Sequence, residues 1–277
     1  MQVLDHKIGL IAGNGKLPFL FAMAARRQNK HVVAAAIRGD TSPLLRFGVH
    51  QFAWFHAGEL KKLFDYFRRQ GVREVVMAGQ VNPGNLFVQN IAMDEEFRSL
   101  FQALENRKAD TIFSAVAEKL HNNGMQLLNS TILFQDYLAR DGILTRREPT
   151  DQEWADIDFG QKIAKSMGGL DIGQTVVIKD KAVVAIEAME GTDRCILRGG
   201  RIVRQGAVIV KMSKPQQDQR FDVPVIGLRT IQVMRKVKAS CLAIEAGKTL
   251  VINENQCIRL ANNSNITIVS RPAFGDR

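Results

Sequence analysis

The stretch KIGLIAGNGKLPFLFAMAARRQNKHVVAAAI, residues 7–37, decides the fold class. KIGLIAG (7–13) is a short apolar run that ends at a glycine, as a buried strand does where it turns. Residues 17–30 have helical spacing and a basic last turn, which suits the negative end of a helix dipole. HVVAAAI (31–37) then reads as a second strand. Strand, glycine turn, helix, strand is the repeating unit of a parallel sheet.

The alternation continues outward. QFAWF (51–55) reads as a third strand. In AGELKKLFDYFRRQG (57–71), Leu60, Leu63, Phe64 and Phe67 share one helical stripe and Gly71 ends it. REVVMAGQV (73–81) is another buried strand ending at glycine, and helical patterns follow near 94–106 and 110–123. The expectation is an α/β chain whose first domain, 1–134, is a Rossmann-like parallel sheet. ARDGILTRREPTDQEW (139–154) is rich in charge and loop-formers, so 135–150 is expected as a linker or hinge. The second domain, 151–277, reads as α+β or mixed α/β. It opens with a helix over 151–167, with Thr150 and Glu153 at capping-box spacing. Two β-branched strands in 175–189 follow, then a helix over 193–205 and a strand over 207–211. A helix over 228–238 and strands over 241–245, 248–252 and 266–270 complete it.

Composition narrows the function classes. The 277 residues are 45% hydrophobic and 24% charged, which permits a packed core and argues against disorder. The net charge of +10 favours an anionic partner: nucleic acid, a phosphorylated ligand or an acidic membrane surface. Without a run of lysines and arginines or a glycine-flanked aromatic cluster, nucleic acid is not expected. Cys195, Cys241 and Cys257 lie far apart, which reads as inert thiols in a reducing compartment. No run approaches the roughly 18 apolar residues of a membrane span, and the start does not read as a signal peptide. The expected location is cytoplasmic, with a membrane face within reach. The five histidines make no metal-ligand spacing; only His56, at a strand end, is worth watching.

Two glycine turns are candidate ligand sites. Gly13 and Gly15 stand between a strand and a helix whose start holds Pro18. Gly13 makes the turn tight, Gly15 lets a ligand approach the backbone, and free amides there favour a phosphate. The dinucleotide fingerprint asks for a glycine where Pro18 stands and an acid where Arg38 stands, with Asp40 just beyond. In MAGQVNPGNLF (77–87) a strand again ends at a glycine, Gly79, and Gln80 and Asn82 carry amides suited to a base or ribose. The plain alternative for both is a structural turn.

The second domain carries phosphate chemistry. In EAMEGTDRCIL (187–197), Thr192 and Asp193 suit a helix cap. Read functionally, Gly191 and Thr192 donate to a phosphate, and Glu190 or Asp193 faces a metal. In KMSKPQQDQRFDVPVIG (211–227), Lys211, Lys214 and Arg220 would neutralise phosphoryl oxygens. Asp222, set between Phe221 and Val223, would serve as a base or a hard oxygen ligand for Mg²⁺. The alternative is a solvated loop with Asp222 as a turn residue.

The segments GLIAGNGKLP, VVMAGQV, LDIGQTVVIKDKAVVAIEAMEGTD and KMSKPQQDQRFDVPVIGLRTI occur in this order along nearly the whole chain. In this the chain resembles the UDP-2,3-diacylglucosamine pyrophosphatases of lipid A synthesis, the two-domain, non-calcineurin type. The resemblance implies hydrolysis of UDP-2,3-diacylglucosamine to lipid X (2,3-diacylglucosamine 1-phosphate) and UMP, with Mg²⁺ and attack of water at the sugar-side phosphorus. It implies a two-domain cradle with a hinge, and Asp222 as the essential aspartate. The glycine turn maps to Ala12, Gly13 and Gly15, and the second loop to Glu190, Gly191, Thr192 and Asp193. The metal is assigned to Asp222 and Glu190. The partners implied are the UDP-linked diacylated glucosamine and the cytoplasmic face of the inner membrane, held peripherally, with a homodimer as the assembly to test. Two other classes stand beside it. Gly13, Gly15 and Arg38 point to an NADP-linked oxidoreductase, against which Pro18 counts. Charge alone points to a non-catalytic nucleotide-sugar or RNA-binding module.

Overall fold

The computed structural model describes residues 6–81, 93–104, 109–215 and 217–272. It divides into two compact units. Residues 1–134 together with Asp218–Asp222 form the first, and Gln135–Gln217 with Val223–Arg277 form the second.

The first unit is the alternating structure expected from residues 7–37. Its strands are β1 (Lys7–Ala12), β2 (His31–Ile37), β3 (Gln51–Phe55), β4 (Glu74–Ala78) and β5 (Gln126–Leu127), in the order β3-β2-β1-β4-β5 and all parallel. The helices are α1 (Leu17–Arg27), α2 (Leu60–Arg69), α3 (Glu95–Ala103) and α4 (Ala109–Asn122). The α2 stripe is buried as its spacing predicts: Leu60, Leu63, Phe64 and Phe67 enter the core against Val75, Phe97 and Leu120. Asp94 ties two helices together. One carboxylate oxygen caps α3 by accepting from the Phe97 N–H at 2.9 Å, and the other accepts from the Lys61 N–H at 2.7 Å. A cap of this kind contributes about 1 kcal/mol. Phe221 packs against this core, with its ring 5.4 Å from Phe113.

The second unit is a three-layer structure. Its main sheet runs β6-β13-β11-β9-β7-β8, from β6 (Gly142–Ile143), β7 (Thr175–Lys179), β8 (Ala182–Ile186), β9 (Val208–Lys211), β11 (Cys241–Glu245) and β13 (Thr267–Arg271). The centre is parallel and both edges are antiparallel. A separate parallel pair joins β10 (Val225–Gly227) to β12 (Leu250–Ile252). Successive side chains of a strand point to opposite faces, and β9 uses both. Val208 and Val210 pack under α5 (Asp151–Gly169), while Ile209 joins the core built with α6 (Thr192–Val203), α7 (Leu228–Lys236) and α8 (Glu254–Asn263). Small residues let the layers close. A Cβ on Gly160 of α5 would stand 2.6 Å from Val210, and one on Gly199 of α6 2.8 Å from Val177.

Helix α5 begins with the predicted capping box: the Thr150 hydroxyl accepts from the Glu153 N–H, and the Glu153 carboxylate accepts from the Thr150 N–H. Residues 135–150, expected as a linker, count with the second unit. Within them β6 pairs with β13, and Ala139 donates to Thr249 O at 2.8 Å. The three cysteines are buried thiols. No helix among the described residues is long and apolar enough to cross a membrane.

Candidate functional site

In the first unit the strand order reverses between β1 and β4, and open α/β sheets bind ligands beyond the carboxyl ends at such a point. The residues that follow those two strands are the predicted Gly13 and Gly79, and the two turns are stitched together. The Gly13 N–H donates to Ala78 O at 2.9 Å. Asn14 N donates to Gln80 O at 2.6 Å and Gln80 N to Asn14 O at 3.2 Å. A Cβ on Gly13 would stand 2.5 Å from Gln80 O, and one on Gly79, whose φ is +91°, 2.5 Å from Asn14 O. Glycine at these two positions is demanded by the facing turn. Gly15 differs: its φ is +92° and, among the described residues, nothing lies within 4 Å of a Cβ placed on it. Its N–H is taken by Asn14 Oδ1 at 2.6 Å. Ala12 is buried, and its carbonyl accepts from the Thr41 hydroxyl.

Two features separate this turn from a dinucleotide cradle. The amides of Gly13, Asn14 and Gly15 all have acceptors within the chain, and Arg38 lies over the Trp54 ring at 5.9 Å. An anion would meet the start of α1, which among the described residues has no side-chain cap and has no acidic residue in its first turn. Asn82 lies outside the described residues.

In the second unit several strand ends gather at one edge. Lys211, the last residue of β9, pairs with Thr175, the first of β7, and Ile186, the last of β8, pairs with Val176. Lys211 is only 6% exposed. Its Nζ donates to Thr192 Oγ1 at 2.9 Å and to Thr175 Oγ1 at 3.4 Å, and lies 3.9 Å from Glu187 Oε2. Thr192 in turn donates its proton to Glu187 Oε1 at 2.9 Å. Helix α6 is capped by Gly191, at φ +81°, without a side-chain bond. Thr192 is therefore not the cap that its residue type suits; its hydroxyl belongs to the lysine. Next to this cluster, Glu245 ends β11 fully buried. Its carboxylate accepts from Ser213 N at 2.8 Å, Ser213 Oγ at 2.7 Å, Lys165 at 3.1 Å and Lys248 at 2.9 Å. Burial pushes this carboxyl up, but Ser213, Lys248 and Lys165 outweigh it and hold it below the usual carboxylate range.

The remaining predicted charges are paired. Lys214 donates to Asp171 at 2.6 Å. Asp193 meets Arg229 at 2.8 Å. Glu190 accepts from Arg198 at 2.5 Å and from the Ala188 N–H at 3.0 Å, and the guanidinium keeps its carboxyl below the usual range. Arg220 forks onto Asp218, with contacts of 2.6 to 3.0 Å, and holds that carboxyl low. Arg220 and Asp222 both sit in the five-residue segment that counts with the first unit, where Asp222 is half-buried and its N–H donates to Asp218 O at 3.0 Å. Sequence reasoning passed over four of these carboxylates: Asp171, Glu187, Asp218 and Glu245. Asp218 was within reach, two residues before the arginine it neutralises. Glu187 looks in sequence like the polar end of an apolar strand.

Two other features of the second unit are a thiol and a groove. Burial pushes the Cys195 thiol in α6 up to about 12, which makes it unreactive. A groove of about 560 Å³ on the second unit is lined by Arg146, Asn255, Arg259 and Asn262 among others, none of them a predicted residue.

For the metal, the described residues hold no group of three or more His, Cys, Asp or Glu that could bind an ion. Mg²⁺ is content with one or two carboxylates, waters and substrate phosphate oxygens, so single carboxylates suit it where they would not suit zinc. The two carboxylates expected to hold it are Asp222, half-buried, and Glu190, whose oxygens accept from Arg198 and from the Ala188 N–H.

The UDP-2,3-diacylglucosamine pyrophosphatase LpxI of Caulobacter vibrioides is 28% identical over 273 residues, covering 95% of this chain and 97% of that protein. Among solved structures, the N5-carboxyaminoimidazole synthetase of Staphylococcus aureus shares 13% identity over 63% of this chain and 38% of its own, with a TM-score of only 0.25. The LpxI N-terminal domain matches residues 7–137 and the LpxI C-terminal domain residues 140–269. With both domains present in order over nearly its whole length, the chain belongs to the LpxI family.

Proposed function

We propose that this protein hydrolyses the pyrophosphate of UDP-2,3-diacylglucosamine, giving lipid X and UMP in lipid A synthesis. The observation that carries this reading is the end-to-end similarity to a protein named for that activity. The geometry supports it. Pyrophosphate hydrolysis needs cations on the phosphoryl oxygens, a placed water and a base. Lys211, beside Gly191 and Thr192 at the start of α6, supplies the first at the strand-end edge. Lys214 and Arg220 are held by Asp171 and Asp218, so phosphoryl oxygens compete with those carboxylates for them. Gly13, Gly15, Gly79 and Gln80 stand where an α/β sheet receives a nucleotide.

Asp222 takes the proton of the attacking water. The water oxygen stays on the sugar-side phosphate, and the bridging oxygen leaves with UMP. Mg²⁺, held by Asp222 and the substrate's own oxygens, would supply further charge neutralisation. The substrate's acyl chains place the reaction at a bilayer, and a net charge of +10 favours its anionic cytoplasmic face without a span.

The test is release of UMP from UDP-2,3-diacylglucosamine with Mg²⁺ and with EDTA, in parallel with Asp222→Ala. We expect the variant to keep its melting temperature and lose about a hundredfold or more of kcat, the scale of a missing general base. In ¹⁸O-water the label should enter lipid X and not UMP. Full activity in Asp222→Ala removes the aspartate from the chemistry, and no UMP from the wild type removes the reading itself.

A further inference from the structure

We propose that Glu187 is the positioning residue of the phosphoryl-binding edge: it holds the Thr192 hydroxyl and the Lys211 ammonium in one arrangement, and the lysine's grip on a phosphoryl group depends on it. The inference rests on the reading of that edge as phosphate-binding. It starts from the hydroxyl. Thr192 has one proton and two lone pairs. The proton goes to Glu187 Oε1 at 2.9 Å, which leaves the lone pairs to accept from Lys211 at 2.9 Å. The direction of the ammonium is thus set through threonine by the carboxylate. The expected gift of the Thr192 proton to a phosphate is already spent on Glu187.

Charge makes the second point. Lys211 is 6% exposed and Glu187 9%, and a desolvated ammonium needs a nearby anion. Glu187 Oε2 lies 3.9 Å from Nζ, and it is buried without a hydrogen-bond partner among the described residues. An unsatisfied carboxylate oxygen is costly to keep in a fold, and its effect here is to hold a cation at the strand end. The carboxylate is itself anchored. The Glu187 N–H donates to Thr175 O at 2.8 Å, and a Cβ on Gly173 would stand 2.2 Å from Glu187 O, so the backbone passes where only glycine fits. Being an anion, Glu187 does not touch the phosphoryl group; it acts through Lys211 and Thr192.

The probe is inorganic pyrophosphate, titrated calorimetrically into the full-length protein. Glu187→Gln keeps the shape but turns an amide toward the lysine. We expect pyrophosphate to bind it about tenfold more weakly, the loss of one charge-assisted contact. KM for the UDP-linked substrate should rise in proportion, and the melting temperature should stay within a few degrees. In a Lys211→Met background the same substitution should cost nothing further, because coupled residues are not additive. A merely structural role would give equal losses in both backgrounds, and that result overturns the proposal. So does wild-type affinity in Glu187→Gln, or a wild type that does not bind pyrophosphate. If Glu187→Gln fails to fold, Thr192→Val breaks the same link and should show the same loss; unchanged binding there is equally fatal. Glu187-dependent binding without turnover would sink the hydrolase reading and leave this one standing. Turnover indifferent to Glu187 would do the reverse.

Discussion

At the scale of the residue, what matters is which polar groups are already committed. Lys211, Lys214 and Arg220 each have a carboxylate neighbour, Glu187, Asp171 and Asp218, so the cation-rich stretch is locally balanced in the free protein. The glycines divide in the same way. Gly13 and Gly79 answer to each other's turn, while none of the described residues crowds Gly15. Gly79→Ala combines a positive φ with a Cβ 2.5 Å from Asn14 O, and should destabilise the protein by about 1–3 kcal/mol, read as a lower urea midpoint with an unchanged slope. Gly15→Ala meets only the strain of φ and should cost less; an equal loss would contradict the stitched turns. Much of the candidate site is legible in the sequence, because lysines, glycines and an aspartate among apolar residues announce themselves. The counter-charges are not. Glu187 becomes a neighbour of Lys211, and Glu245 of Ser213, through the pairing of strands far apart along the chain, and spacing carries no trace of that.

At the scale of the element, hydrophobic period carries the fold. Strands β1, β2 and β4 and helix α2 stand where their apolar patterns put them, since buried runs and amphipathic stripes are local signals. The order β6-β13-β11-β9-β7-β8 is set by packing partners distant in sequence, and no local signal specifies it. The pairing of β6 with β13 is of the same kind, a two-residue strand inside a charged stretch that composition marks as a connector. One element also predicts a pH response. Glu245 is held below its unfolded value by Ser213, Lys248 and Lys165, so the stability it contributes is present above the unfolded carboxylate pKa and is lost as pH falls through the lower folded one. Glu153, where Arg147, Ser240 and Thr150 outweigh burial, behaves alike. The urea midpoint should therefore fall on going from neutral pH to below the usual carboxylate range. Glu245→Gln should be less stable at neutral pH and lose less on acidification; a parallel fall would assign the acid sensitivity elsewhere.

At the scale of the whole molecule, a charge of +10 on 277 residues should bring it to anionic bilayers. We expect co-sedimentation with vesicles rich in phosphatidylglycerol, absence from pure phosphatidylcholine, and release as added salt shortens the Debye length to about 8 Å at physiological strength. Binding that ignores salt would point to apolar contacts instead. The path of the chain bears on how such a protein changes over generations. A border drawn between the two units is crossed at 134/135, again at 217/218 and again at 222/223. Recombination that exchanged only the carboxyl-terminal half would import, inside it, five residues fitted to a foreign neighbour, Phe221 and Asp222 among them. The halves should therefore be inherited as a pair, and a chimera joined at the obvious seam would need a second, much smaller graft before it worked.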